Sequence, residues 1–414
     1  MNSPDQFKLL DREVIENPYP FYSALLREAP VYRVPGTDVY LISGYQLIHE
    51  VLKNQRDYSA NLTGILVTGE NGQPELFDLT QFGGSVDAIA NADEPSHSIH
   101  RKLVMPQFTA RKMAAMEADI RQWAQTRIAT LIESGGGDCV ETVANPIPVL
   151  VIAKLMGLPV NDLGLLLGWA FSGGDILAGT STLTQMVALG DSTAAMVDYL
   201  QAHFAAIQNT AQAPTSNVMQ ELANGVELGL ISESDAIAIS VVLVGAAGES
   251  TASLIGSAIR VLAQDGELQD ALRQQPELIE NYIEEIVRLE SPFKGHYRVV
   301  LNDTTLGGVN MPSGARAYLL WAAANRDPTV FHAPEQIDLY RRRPQEHLGF
   351  GYGIHFCIGA RLARLETRII LEELLARTAN FKVDPHSAVK HHASIFVRRL
   401  RELHLTLEPQ ASLS

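Results

Sequence analysis

Cysteine occurs only twice in the chain, and one copy sits in Phe350-Gly351-x-Gly353-x-His355-x-Cys357-x-Gly359. The residues that follow, 360–376, have the composition and spacing of a helix. A thiol at a helix N-terminus meets unpaired backbone N–H groups and the positive end of the helix dipole, and both stabilise a thiolate. Gly351, Gly353 and Gly359 permit a tight turn and the close approach of a bulky planar group. Zinc would need four ligands, and no His or Cys partners stand at metal-binding spacing around this thiol. A lone thiolate suits the fifth position of a haem iron, where it pushes electron density toward O–O cleavage. Residue types alone leave the ordinary alternative standing, because an isolated cysteine is usually a loop thiol. Cys139, after Gly-Gly-Gly-Asp, reads as structural.

A second set of reactive groups interrupts an apolar run. Gly245-Ala246-Ala247-Gly248-Glu249-Ser250-Thr251 lies inside residues 233–264, which are apolar on most sides and predict a long buried helix. Burying an acid and hydroxyls without partners is costly, so they need a reason. One reason is structural: Ser and Thr bond back to the i−4 carbonyl and bend a helix. The other is chemical, since a carboxyl and a hydroxyl together can pass a proton.

The string from Phe350 to Gly359, followed by Leu362-Ala363-Arg364, resembles the haem-binding pattern of the cytochrome P450 superfamily. That resemblance extends over nearly the whole chain. Glu285-x-x-Arg288 matches the family's Glu-x-x-Arg helix, and Arg341 stands where a later arginine completes that network. His97 and Arg101, in "HSIHR", match a family pair that holds a haem propionate; Arg298 and His355 match two further propionate partners. Both residue types suit this task, because charge-assisted hydrogen bonds hold carboxylates best. The resemblance implies Cys357 as iron ligand, with Phe350 and Gly359 beside the haem. In the family an acid and a threonine on the long helix support oxygen binding and proton delivery. Here the favoured pair is Glu249 and Ser250; a shift of one residue would make Thr251 the alcohol. The implied substrate walls include Leu66, Phe77 and Phe82, the 170–190 segment, Val244 and Ala247, Phe293 and His296, and Ile395 and Phe396.

Helices must position these groups. Residues 111–134, 142–159, 183–208, 233–264 and 276–292 have helical spacing. Strand signals are fewer: a hairpin in 30–43, short strands in 297–321, and alternation in 395–408. Residues 60–95 read as a long loop, which in a compact domain is functional or disordered. The His391-His392 pair has no third ligand at useful spacing and reads as surface. The fold class is mainly α with small β-sheets, and the resemblance implies the P450 triangular helical prism as a single domain over 1–414.

Composition bounds the rest. The chain has 414 residues, 46% hydrophobic, a mean hydropathy of +0.02 and a net charge of −15. That charge predicts a chain that avoids nucleic acid unless a local basic patch says otherwise. The N-terminal residues lack the features of a signal peptide or anchor, no apolar run reads as a membrane span, and two cysteines fit a reducing cytoplasm. The resemblance implies a monomeric haem b monooxygenase that uses O2 on a small or medium apolar molecule. Its electrons come from NAD(P)H through a reductase and an acidic ferredoxin, which docks on Arg101, Lys102, Arg111, Lys112, Arg341, Arg342, Arg343, Arg361 and Arg364. A peroxygenase using hydrogen peroxide, and a non-catalytic haem-based sensor, are the alternatives.

Overall fold

The computed structural model describes residues 3–82, 87–208 and 216–410. Its centre is the helix Glu233–Gln264, which starts at a capping box: Ser232 Oγ accepts from the Asp235 N–H, and the Asp235 carboxylate accepts from the Ser232 N–H. Around it pack the helices Pro146–Met156, Leu163–Ala170, Leu183–Gln208 and Ala360–Arg377. The helix is long and apolar enough to cross a membrane by composition, which corrects the reading of no such run. However, 61% of its most apolar window is buried inside the protein, as for a core helix. At Gly248 the neighbours come so close that an added Cβ would lie 2.8 Å from the Ala170 side chain.

The strands form small sheets. The largest has the order 31–33, 39–42, 316–319, 296–300, 58–59. Strand Arg316–Leu319 runs parallel to Val39–Ile42 and antiparallel to His296–Val300. Alternation along His296–Val300 sends His296 and Arg298 to the same side.

Several expected boundaries move. The helix expected over 142–159 divides into a π turn, Val140–Ala144, that begins before it and the helix Pro146–Met156. Proline opens that helix and Gly157, at φ +84, closes it. Residues 276–292 divide into a short 3-10 turn and the helix Ile279–Glu290. The expected loop at 60–95 contains a hairpin, Gly64–Thr68 against Pro74–Asp78. Its strands are five residues each, too short to show a period, and Gly72 at φ +74 serves the turn. His391 is buried, with Nδ1 2.6 Å from Glu16 Oε1, and so is not a surface residue. A carboxylate from the far end of the chain covers it, and no local pattern signals that.

Candidate active site

The cysteine loop is built by its glycines and by two anchors on one helix. Gly351 and Gly353 take φ of +70 and +75, where a side chain would be strained. The Cys357 N–H donates to the Phe350 carbonyl at 2.9 Å and closes the loop. On Ile279–Glu290 one carboxylate ties both ends of this loop to the core, and the next holds the segment that leads into it. Glu284 accepts from Arg364 Nη2 at 2.8 Å and lies 3.0 Å from His347 Nε2. Burial opposes its charge, but the bonds to Arg364 and His347 win and hold its pKa down at about 2. Glu285 accepts from Arg288 Nε and Arg341 Nε, each at 2.8 Å, with no exposure of the Glu285–Arg288 pair. Glu284 was missed in the sequence; only its place in a Glu-Glu doublet hinted at a second anchor.

Cys357 opens onto a cavity walled by the long helix, the cysteine loop and the strand His296–Val300. Burial by the surrounding protein pushes its thiol pKa up. The Gly359 and Ala360 N–H groups and the charges of Arg364 and Arg101 pull the other way. These donors are arranged for a sulfur that carries negative charge.

Four basic side chains meet on the cavity wall. His97 and Arg101 come from the helix Ser96–Val104, Arg298 from its strand, and His355 from the loop. The rings of His97 and His355 lie 4.2 Å apart. His97 Nε2 is buried without a hydrogen-bond partner. Arg298 donates to the Tyr297 carbonyl at 2.8 Å. Burial lowers its pKa to about 10, with Asp93 opposing. Burial, then the charges of Arg298, His97, His296 and Arg101, drive His355 down to about 3. A buried guanidinium set among these basic side chains favours an anion beside it.

The wall contributed by the long helix is a single stripe: Val242, Leu243, Ala246, Ala247, Ser250, Thr251 and Leu254. Their spacing of three and four keeps them on one helix face. Ser250 Oγ donates to the Ala246 carbonyl at 2.6 Å. Both candidate hydroxyls therefore line the cavity. Glu249 does not line it; it is 1% exposed and turns toward Arg399. Its pKa rises to about 8, chiefly from burial and secondarily from Asp175, with Arg399 and the Gly174 N–H opposing.

Among the expected wall residues, Ala247, Phe293 and His296 line the cavity. Phe396 stands behind them, its ring 4.7 Å from Phe293 and stacked at 5.4 Å on His296. Val244 is displaced one residue from the lining stripe and packs in the core. Leu66, Phe77 and Ile395 belong to a different cluster with Phe21 and Tyr297. The side chain of Phe82 lies outside the described residues.

A flat tetrapyrrole with two carboxylates fits these residues. The thiol could ligate its metal, the basic side chains could pair with its acids, and the apolar side chains could pack against its ring.

A family model described as cytochrome P450 matches residues 194–397. The chain is 36% identical to "Cytochrome P450 144" of Mycobacterium tuberculosis over 396 residues, covering 96% of this chain and 90% of that protein. A protein of the same organism named "Steroid C26-monooxygenase" is 29% identical, with 88% of this chain and 98% of that one covered. The crystal structure of CYP109E1 from Bacillus megaterium in complex with testosterone superposes with a TM-score of 0.84 at 28% identity, covering 96% and 99% of the two chains. The fold, the thiol-bearing loop and this near full-length similarity agree: the chain belongs to the cytochrome P450 family and is a haem b monooxygenase.

Proposed function

We propose that this enzyme hydroxylates C–H bonds of a small or medium apolar organic molecule. Its reducing equivalents come from NAD(P)H through a reductase and an acidic ferredoxin. The observation that carries the substrate class is the stripe of Leu243, Ala246 and Ala247 beside Phe293, an apolar wall interrupted by few polar groups. A relative named for steroid oxidation and another solved with testosterone support the same class.

When bound, the haem supplies oxygen activation, favoured by a thiolate ligand. The chain's own residues do the rest. Cys357 provides that thiolate under the Gly359 and Ala360 N–H groups. His97, Arg101, Arg298 and His355 orient the ring by its acids. The apolar stripe excludes water and turns the substrate toward the metal. Glu249 brings protons to the long helix, and Ser250 hands them into the cavity, with Thr251 one position further along the same face.

For the electron donor, Lys102, Arg111, Arg342 and Arg361 are exposed and available for docking, while Arg343 is exposed but paired with Glu346. Arg341 and Arg364 are not available, because each is bound to a carboxylate of the Ile279–Glu290 helix. An acidic partner suits those exposed cations although the whole chain carries −15.

A panel of steroids, terpenoids, fatty acids and aromatics tests this, read first by the haem spin-state shift as ligand displaces iron-bound water. Binders are then incubated with O2, NADPH, and a surrogate acidic ferredoxin with its reductase. Hydroxylated product that requires all three is expected. Product formed with hydrogen peroxide alone, and none with O2 and the donor chain, would assign the peroxygenase reading instead.

A further inference from the structure

Glu249 leaves the cavity-facing stripe of the long helix and enters a second polar cluster. Arg399 Nε stands 3.2 Å from Glu249 Oε1, and Arg399 Nη2 stands 3.3 Å from Asp175 Oδ1. Nε and Nη2 share one edge of the guanidinium, so the two carboxyls lie side by side against a single cation. The Glu249 contact is not aligned as a hydrogen bond, and Glu249 Oε1 and Arg399 Nε both lack hydrogen-bond partners. Phe171 covers the guanidinium, 4.4 Å from its ring centre. The two carboxyls differ in one respect: the Glu249 side chain is 2% exposed, the Asp175 side chain 44%.

This cluster has one wet end and one dry end. Two ionised carboxyls on one guanidinium would leave an uncompensated negative charge in a buried place, so the cluster favours holding one proton. Burial raises both carboxyl pKa values, and Arg399 opposes the rise in each. The groups facing Glu249 are Arg399, Asp175 and the Gly174 N–H. At the preceding residue, Gly248, the other packed helices present only the apolar Val149 and Ala170. Gly174 is needed for closure, since a Cβ there would collide with Glu249 Oε2.

We propose that Asp175 is the solvent-side member of a two-carboxyl relay that reloads Glu249 with protons, and that Arg399 is its positioning residue. The proposal rests on the monooxygenase reading above. A solvent hydronium gives its proton to Asp175 and leaves as water; the Asp175 O–H bond breaks as an O–H bond forms on Glu249; Glu249 then releases that proton toward Ser250 and the cavity. One proton passes and no electron moves. A guanidinium keeps its protons in proteins, so Arg399 carries none and neutralises whichever carboxyl is ionised.

The test starts with the resting holoenzyme, without substrate or donor, so its result is independent of the proposed reaction. Infrared difference titration should show a protonated-carboxyl band that disappears near neutral to mildly alkaline pH and is missing in Glu249→Gln. Asp175→Asn should move its midpoint down, because a neighbouring negative charge is removed. Arg399→Met should move it up, and Arg399→Lys should restore it in part. Turnover of any accepted substrate is the second readout. Asp175→Asn should slow it by about tenfold or more, below the ~10²–10⁴ of a group that itself hands over the proton. It should also enlarge the solvent isotope effect, and Asp175→Glu should recover both. A midpoint unmoved by Asp175→Asn and Arg399→Met overturns the cluster; shifted midpoints with unaltered rate and isotope effect overturn the relay.

Discussion

Replacing Arg298 by Met should have opposite effects on the haem-loaded and haem-free proteins. The side chain is 7% exposed and stands among His97, Arg101 and His355. With a carboxylate beside it the buried Arg298 charge gains a partner; without one, burial disfavours that charge and Asp93 offsets only part of the cost. A charge-assisted hydrogen bond contributes about 1.5–3 kcal/mol. At about 1.4 kcal/mol per tenfold, its loss should weaken haem binding by roughly 10- to 150-fold. Methionine keeps an apolar stem of similar length and removes the charge, so the haem-free protein should become more stable in urea. Haem loss is measured by transfer to excess apomyoglobin, and stability by the urea midpoint of the stripped protein. Unaltered transfer together with a lowered midpoint would refute the reading of these four groups as a carboxylate cage.

Three further outcomes follow from the same geometry. Glu290 pairs with Arg398 Nε at 2.9 Å and Arg260 Nη2 at 3.0 Å, and these charges hold its pKa down at about 2 against burial. Glu290→Gln should therefore destabilise the fold by about 3–5 kcal/mol. A depressed carboxyl pKa stabilises above its ordinary value of 4.5, so this contribution fades as pH falls from about 4.5 to about 2; a urea midpoint equally lowered in the variant at pH 7 and pH 2 would contradict the pairing. Ser250→Ala should release several-fold more hydrogen peroxide per product than wild type, and uncoupling by Thr251→Ala alone would move the alcohol one residue on. Turnover with an acidic ferredoxin should fall as salt shortens screening to about 8 Å at 0.15 M, and Lys102→Glu with Arg111→Glu should weaken that dependence; a rate indifferent to both would remove the docking patch.

What could be read from the sequence was local. The long helix over 233–264 follows from sustained apolar spacing, and the cysteine helix from its position behind glycines. The stripe 242, 243, 246, 247, 250, 251 and 254 was also legible as one helical face, and strict use of the 3.6 period would have set Val244 aside. The pairs that matter between distant segments were not legible. Arg399 meets Glu249 across 150 residues, His391 meets Glu16 across 375, and Arg364 meets Glu284 across 80. A charged residue looks the same in sequence whether solvated or paired, and only the fold decides. The Gly64–Asp78 hairpin was hidden for the opposite reason, being too short for any period to appear.

The central claim is that Cys357 supplies the thiolate to the haem iron. The direct measurement is the spectrum of the dithionite-reduced, CO-treated protein in wild type, Cys357→Ala and Cys139→Ala. Cys139 is buried at 1% exposure and plays no part in the cavity. The strongly red-shifted Soret band of a thiolate-ligated haem is expected in wild type and in Cys139→Ala, with its loss in Cys357→Ala. A red-shifted band that survives Cys357→Ala, or disappears with Cys139→Ala, would contradict that claim.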